Sequence, residues 1–410
     1  MSGRGKGPLA GVRVLDLTSV LMGPYATQIF ADLGAEVIKV ESPQGDTTRF
    51  IPPGPDHSRG AMFLNVNRGK RSIVMDLKQP AAREALLRLA KDADVFIHSM
   101  RASAIGRLGL DYAALQAANP RIIYANLYGF SRNGPYRDYP AYDDIVQAAS
   151  GIVDLQAKLS NGQPTYAATV IADKVAGLTG AYSVIAALYA REKTGRGQEI
   201  EVPMFETLVS FTMVEHLCGS LFVPPQGPPE YPRATSEARR PYKTSDGQIG
   251  VMIYNDRHWQ NFFDALGNPE WSKDPMFANM RSRSQNIGTV LAKVAEVLET
   301  RTTEEWVELF RKAQIPATPI ATLTDLLHDP HLEEIGFWDQ RETAMGTIRF
   351  PGIPTTFSDT PGAIGDPGPA LAGDSVAVLR DAGFAESEIR ALLDAGAVRQ
   401  DEAAAREVGA

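Results

Sequence analysis

Cysteine is almost missing from this chain: Cys218 is the only one among 410 residues. That excludes an internal disulfide and any cysteine-built zinc site. The six histidines are few and scattered, and no resident metal is expected. An excess of positive charge is missing too. Lys+Arg 41 against Asp+Glu 49 leaves a net charge of −8, a balance that repels polyanions and argues against a nucleic-acid partner. Long apolar runs are scarce. The stretch 1–11 has basic residues but no apolar core of the kind a signal peptide needs, and the segment 175–190 reads as too short and too interrupted to span a bilayer. Neither export nor membrane insertion is expected, and a reducing cytoplasm fits the cysteine content. Glycine (36) and proline (28) stay below low-complexity levels, while 44% hydrophobic and 22% charged residues describe an ordinary soluble globular chain. Its length suits two or three domains.

Familiar nucleotide and hydrolase signatures are absent as well. No Walker phosphate loop, HExxH helix or GxSxG elbow occurs. The loop after the first strand pattern, Thr18-Ser19-Val20-Leu21-Met22-Gly23-Pro24, lacks the GxGxxG that brings backbone to a pyrophosphate. Glu41 stands where a ribose-binding acid would, but a nicotinamide cofactor is not expected.

What is present is alternation. Apolar, β-branched runs at 12–17, 37–40, 72–77, 94–97, 121–127 and 199–202 predict strands, with helical patterns between several of them. Pro80 suits the first position of one helix. Another pattern runs from 173 to 190 and breaks at Thr194-Gly195. Such alternation implies α/β architecture, a parallel sheet covered by helices on both faces, with ligand-binding loops at one sheet edge. Five prolines between 224 and 232 suggest a linker. Beyond it, a hairpin turning at Asp246-Gly247 and helices at 258–266 and 303–313 suggest a smaller α+β unit. Strand-like residues near 347–350 and a helix at 386–394 follow.

Two features invite chemistry. The loop Asn67-Arg68-Gly69-Lys70-Arg71-Ser72 places three cations before a strand, where side chains can reach phosphates, although for this loop alone a solvated turn is the favoured reading; Arg101 and Arg107 follow another predicted strand, and two basic loops at one sheet edge strengthen the case for a phosphate-bearing ligand. Asp173, between apolar stretches at the start of a small-residue helix, is either an N-cap or a carboxylate nucleophile.

Five segments, 9–17 (LAGVRVLDL), 34–41 (GAEVIKVE), 67–78 (NRGKRSIVMDLK), 171–173 (IAD) and 191–198 (REKTGRGQ), together resemble the class III CoA-transferases, relatives of α-methylacyl-CoA racemase. The resemblance spans most of the chain. It implies a large, doubly wound, Rossmann-like domain interrupted by a smaller α+β domain, in an interlocked homodimer. The expected division is 1–222 and 327–410 for the large domain and 223–326 for the small one. It also implies that Asp173 is the nucleophile and that CoA contacts fall at Val20, Met75, Lys78, Ser99, Met100, Arg101, Arg107, Tyr139 and Tyr142. CoA and acyl-CoA would be substrates, with no tightly bound cofactor.

Departures narrow the expectation. Leu21 and Ser42 replace a glutamine and an arginine found in some transferases, and no glycine run occurs between Gly219 and Asp246, which speaks against formate and oxalate. Tyr142 and Asn255 replace the histidine and glutamate of the racemase branch. Transfer of CoA from an acyl-CoA to a free acid, through aspartyl anhydride and aspartyl-CoA thioester intermediates, is therefore expected over two-base racemisation or acyl-CoA binding without turnover. Arg49 is a candidate to hold the distal carboxylate of a short dicarboxylic acid such as succinate.

Overall fold

The computed structural model describes residues 6–401, so part of the N-terminal stretch weighed above lies outside the described residues. Its strands are β1 (Arg13–Leu17), β2 (Glu36–Glu41), β3 (Arg71–Met75), β4 (Val95–His98), β5 (Ile123–Tyr128) and β6 (Gln198–Pro203), then β7 (Tyr242–Lys243), β8 (Gln248–Val251), β9 (Ala317–Pro319), β10 (Trp338–Thr343), β11 (Gly346–Pro351) and β12 (Val398–Arg399). Seven of them form one sheet in the order β12-β3-β2-β1-β4-β5-β6. All neighbours run parallel except β12, which is antiparallel to β3. The order 3-2-1-4-5-6 is that of a doubly wound nucleotide-binding fold, with its topological switch between β1 and β4. The expected parallel, helix-flanked sheet is present.

Parallel strands covered on both faces are apolar throughout, and β4 and β5 are buried along their whole length. Three of the helices serve the candidate site: α1 (Met22–Asp32), α2 (Asp143–Ala149) and α3 (Ile171–Thr194). The helix Pro80–Ala90 has its proline in the first turn and buries Ala82, Ala85, Leu86 and Leu89, an i, i+3, i+4, i+7 stripe. These meet Leu15, Ile38, Ile73, Phe96 and Tyr124 of the sheet in one apolar cluster. Each fully buried leucine or isoleucine contributes about 1.5–3 kcal/mol.

By internal contacts the chain divides into two units. The larger comprises the chain through Ser150, Ala168–Phe211 and the chain from Ile335 on; the smaller comprises Gly151–Ala167 and Thr212–Glu334. The proline-rich run 224–232 thus lies inside the smaller unit, and 151–167, read from sequence as part of the large domain, groups with it. That unit builds the antiparallel sheet β7-β8-β9 over a core containing Trp259, Phe262, Trp306 and Phe310. The helix Thr303–Lys312 starts with a capping box of Thr302 and Glu305. The Asp246 carboxylate of the hairpin turn accepts the Thr303 N–H at 2.8 Å.

α3 is longer than its sequence pattern suggested. It runs 24 residues and ends at Gly195, which adopts φ +72°, the left-handed conformation glycine supplies at helix ends. By length and composition alone this helix could cross a membrane, so the argument from shortness does not hold. Its packing says more: it lies against α1, β5 and β6. A Cβ on Gly177 would stand 2.7 Å from the Met22 carbonyl oxygen, so glycine there sets the close approach of α3 to the start of α1.

A chain of buried charges runs beneath the C-terminal ends of β1, β2 and β3. Lys70 Nζ donates to Asp16 (3.1 Å), to the Thr27 hydroxyl (2.7 Å) and to the Asn67 side chain (2.9 Å). Lys39 Nζ donates to the Thr18 carbonyl (2.9 Å) and to Asp46 (3.0 Å). The Asp46 N–H donates to Glu41 (3.0 Å), and Arg49 makes a two-pronged pair with Glu41 (2.8 and 2.6 Å) while lying over the Phe63 ring. Burial alone would push these carboxyls up. The facing cations and hydroxyls outweigh it and hold Asp16, Glu41 and Asp46 below their ordinary values. For Lys70 burial wins, with repulsion from Lys39 added, and it is pushed down to about 8.

This arrangement corrects two sequence readings. The basic loop before β3 does not reach toward phosphates: Arg68 is buried in a two-pronged pair with Asp32 (3.0 and 2.7 Å), Lys70 belongs to the buried chain, and Arg71 pairs with Glu36 and Asp381 at 2.9 Å each. Arg49, 0% exposed, is unavailable to a substrate. Removing one member of a buried pair strands the other charge. Arg49→Ala should therefore cost about 3–5 kcal/mol of stability, measured by urea unfolding, with the loss much reduced when Glu41→Gln is added.

Candidate active site

The β1–α1 connection is held in an uncommon shape. Thr18 folds back so that its N–H donates to Asp16 at 2.9 Å. Val20 then adopts φ +68°, a left-handed conformation that β-branched residues rarely take. Its N–H is aimed at the Asp46 carboxylate (3.2 Å), which Lys39 holds from the other side and which caps the 3₁₀ turn Thr47–Phe50. The buried charges thus fix two loops, 18–21 and 42–47, at the carboxyl edge of the sheet.

Between these loops and the end of β3 lies a cavity of about 560 Å³, within the size range of small-molecule sites. Five of the sequence-derived residues line it: Val20, Met75, Lys78, Met100 and Tyr142. Arg399 of β12 also lines it and was missed in the sequence, because a two-residue strand leaves no pattern and nothing local ties it to β3. Lys78 and Arg399 are exposed, and neither has a carboxylate partner among the described residues.

Three further candidates lie beside β4 and β5. Ser99, Arg101 and Tyr139 line a second cavity of about 290 Å³ together with Tyr128, Arg132 and Arg137. Ser19, which lines the first cavity, donates its N–H to the hydroxyl of Ser99, which lines the second, at 3.3 Å. Arg132 is occupied by Glu199 and Glu201, whereas Arg101 has no carboxylate partner among the described residues. Arg107, exposed at the end of the helix Ala102–Arg107, lines neither cavity. His98, at the end of β4, is fully buried against Tyr124 and Tyr128. Burial pushes it down to about 4, so it is a neutral ring at physiological pH.

Asp173 is not a cap. α3 starts at Ile171 after Val170, which places Asp173 in the first turn. The capping carboxylate belongs to Asp143, whose Oδ1 accepts the Asp173 N–H at 3.0 Å. Asp143 opens α2 and follows Tyr142 directly, so one dipeptide lines the larger cavity and holds the start of α3. The Asp173 side chain, in a residue 8% exposed, receives no hydrogen bond among the described residues. Burial, with the Asp143 carboxylate adding to it, pushes Asp173 up to about 7. The hydrogen bonds that would offset desolvation are not supplied, and Asp173 lines neither cavity. Among the described residues no cluster of three metal-ligating side chains occurs.

A family model for CoA-transferase family III matches residues 9–375. The chain is 34% identical to an acetyl-CoA:oxalate CoA-transferase of Acetobacter aceti, over 86% of this chain and 90% of that protein. It is 31% identical to a succinyl-CoA:mesaconate CoA-transferase of Haloarcula hispanica, over 92% and 97%. Among solved structures, the protein Rv3272 of M. tuberculosis superposes with a TM-score of 0.80 at 31% identity, covering 91% of this chain and 99% of that one.

The electrostatics of Asp173 can be measured without substrate. In protein carrying ¹³C-labelled aspartate, its carboxyl resonance should titrate with a midpoint of about 7. Asp143→Asn keeps an oxygen acceptor for the Asp173 N–H but removes the like charge. The midpoint should fall only part of the way toward the ordinary carboxylate range, because burial is the larger cause. A midpoint that does not move would show that the two carboxylates do not interact.

Proposed function

Since the chain belongs to CoA-transferase family III, we propose that it moves CoA from an acyl-CoA to a free carboxylic acid with Asp173 as the covalent nucleophile. The observation that carries this reading is the placement of Asp173. Its carboxylate is unbonded among the described residues, it stands in the first turn of a 24-residue helix, and the Tyr142-Asp143 dipeptide connects it to the larger cavity. The cavity's loops offer Val20, Met75, Lys78, Met100 and Tyr142 to CoA, and the neighbouring Ser99, Arg101 and Tyr139 extend the surface. Lys78, Arg101 and Arg107, which have no carboxylate partners among the described residues, suit phosphates. No tightly bound cofactor is needed.

Each step exchanges one acyl bond for another. Ionised Asp173 attacks the donor thioester carbonyl; the C–S bond breaks, giving an aspartyl mixed anhydride and CoA thiolate. The thiolate attacks the aspartyl carbonyl and releases the donor carboxylate, leaving an aspartyl-CoA thioester. The acceptor carboxylate attacks that thioester and re-forms an anhydride. Returning thiolate then attacks its acyl carbonyl, producing the new acyl-CoA and free Asp173. No proton is consumed overall. In the first turn of α3 the Ile171 and Asp173 N–H groups are already held by the Thr169 carbonyl and the Asp143 carboxylate, so the partial positive charge of the helix start, rather than a set of free donors, is what a developing oxyanion would meet there.

A short dicarboxylate as donor or acceptor draws support from relatives named for oxalate, succinate with mesaconate, and succinate with glutarate. Arg49 is not its anchor. An interlocked homodimer draws support from Leu178, Tyr182 and Tyr189 of α3, large apolar side chains left exposed that a second copy would cover. Residence in the cytoplasm, away from membranes and nucleic acid, completes the proposal. Racemisation is less well served: the Asn255 side chain accepts the His258 N–H and caps a helix, a structural task rather than that of a base.

Two experiments test this. Incubation with succinyl-CoA followed by hydroxylamine should leave a hydroxamate at Asp173, seen by peptide mass spectrometry, and Asp173→Ala should lose at least about a thousandfold in turnover. An unmodified Asp173 in protein that turns over would sink the covalent mechanism. Lys78→Ala should raise KM for the acyl-CoA about tenfold, more at low salt than at high, with kcat changed less than about twofold. An unchanged KM would remove Lys78 from the phosphate surface.

A further inference from the structure

The smaller unit holds a cavity of its own, about 410 Å³, walled by Ile253, Trp259, Leu291 and Val294 among other apolar side chains. Two arginines enter this apolar wall, and their partners differ. Arg283 is 3% exposed; its guanidinium pairs with Asp256 and donates to the Phe277 carbonyl at 2.8 Å. Its Nε is buried and has no hydrogen-bond partner among the described residues. Arg233 is half-buried and has no carboxylate within ion-pair distance among the described residues. The contact it makes is from Nη2 to the Met252 sulfur, a weak acceptor that neutralises nothing. Arg233 remains partly hydrated, so its charge is tolerated, but beside apolar walls it is a cation with no counter-charge among the described residues. An anion brought in from solution would supply that partner.

We infer that this cavity is a binding site for a monocarboxylate with an apolar body, its carboxylate on Arg233 and its chain or ring against Trp259, Leu291 and Val294. The charge count sets the class. One cation is neutralised by Asp256 and one is free, so one negative charge is accommodated, and a second carboxylate would be stranded against apolar wall. The volume admits a medium-length aliphatic chain or a single aromatic ring. All its lining residues lie in the smaller unit, whereas Asp173 and the cavities proposed for CoA belong to the larger one, and the inference does not depend on Asp173.

Titration calorimetry on the intact protein tests it with octanoate, succinate and the uncharged octanamide. Octanoate should bind once per chain, at least about tenfold more tightly than either of the others, and equally well in the presence of saturating CoA. Arg233→Gln should weaken octanoate at least about tenfold, and Leu291→Trp, which fills the cavity, should abolish binding. Asp173→Ala should leave it unchanged. Arg233→Gln sits at a half-buried position and keeps the test valid if the tryptophan variant fails to fold, which circular dichroism would reveal. Octanoate binding that survives Arg233→Gln, or that is lost with CoA or Asp173→Ala, would overturn the inference, as would an absence of binding.

Discussion

Two lysines and two aspartates, sealed from water beneath the sheet's carboxyl edge, govern the shape of everything above them. Desolvating charges costs several kcal/mol each, and that cost is offset only when every charge meets opposite charge and hydrogen bonds. Asp16, Lys70, Lys39 and Asp46 satisfy one another only if β1, β2 and the segment before β3 stand in this register. The same carboxylate that Lys39 holds also receives the Val20 N–H. A rare backbone conformation is thus written into the ion network rather than into the loop's own sequence, and strain of this kind belongs to functional loops.

Two groups of cations in this protein differ in a way that composition does not show. Arg49, Arg68, Lys39 and Lys70 are buried and paired; Lys78, Arg101, Arg107 and Arg399 are exposed and have no carboxylate partners among the described residues. The first set holds strands and loops in place. The second set is the one proposed to draw a polyphosphate, and local clusters of this kind are how a chain with an overall negative charge could bind an anionic substrate.

Much of the large unit was legible because parallel strands covered on both faces produce continuous apolar runs, as at 12–17 and 121–127. Pro80 and Gly195 marked helix ends through their own backbone chemistry. What was not legible depended on distance. Arg68 looked like a solvent-facing turn residue until Asp32, far away in sequence, was seen beside it, and Arg49 lost its role to Glu41. The helix Ile287–Leu298 carried a readable stripe at Val290, Leu291, Val294 and Leu298 that went unused. The Asp143 cap had no local signal, since its partner amide is thirty positions on. Of the candidate site, Asp173 and the residues that line the first cavity were named through family likeness, whereas Arg399 had neither pattern nor motif to announce it.

That last residue has a consequence for the birth of the protein. β12 closes an edge of the sheet by pairing with β3, and Ser72 just inside β3 is held by Asp374, 302 positions later. On a ribosome, synthesis proceeds from the N-terminus, so β3 is made long before its edge partner. Until then β3 is an open edge, the kind of surface that invites wrong pairing. The cavity also lacks Arg399 throughout that interval, so the nascent chain cannot present the finished wall to a ligand before residue 399 has been translated.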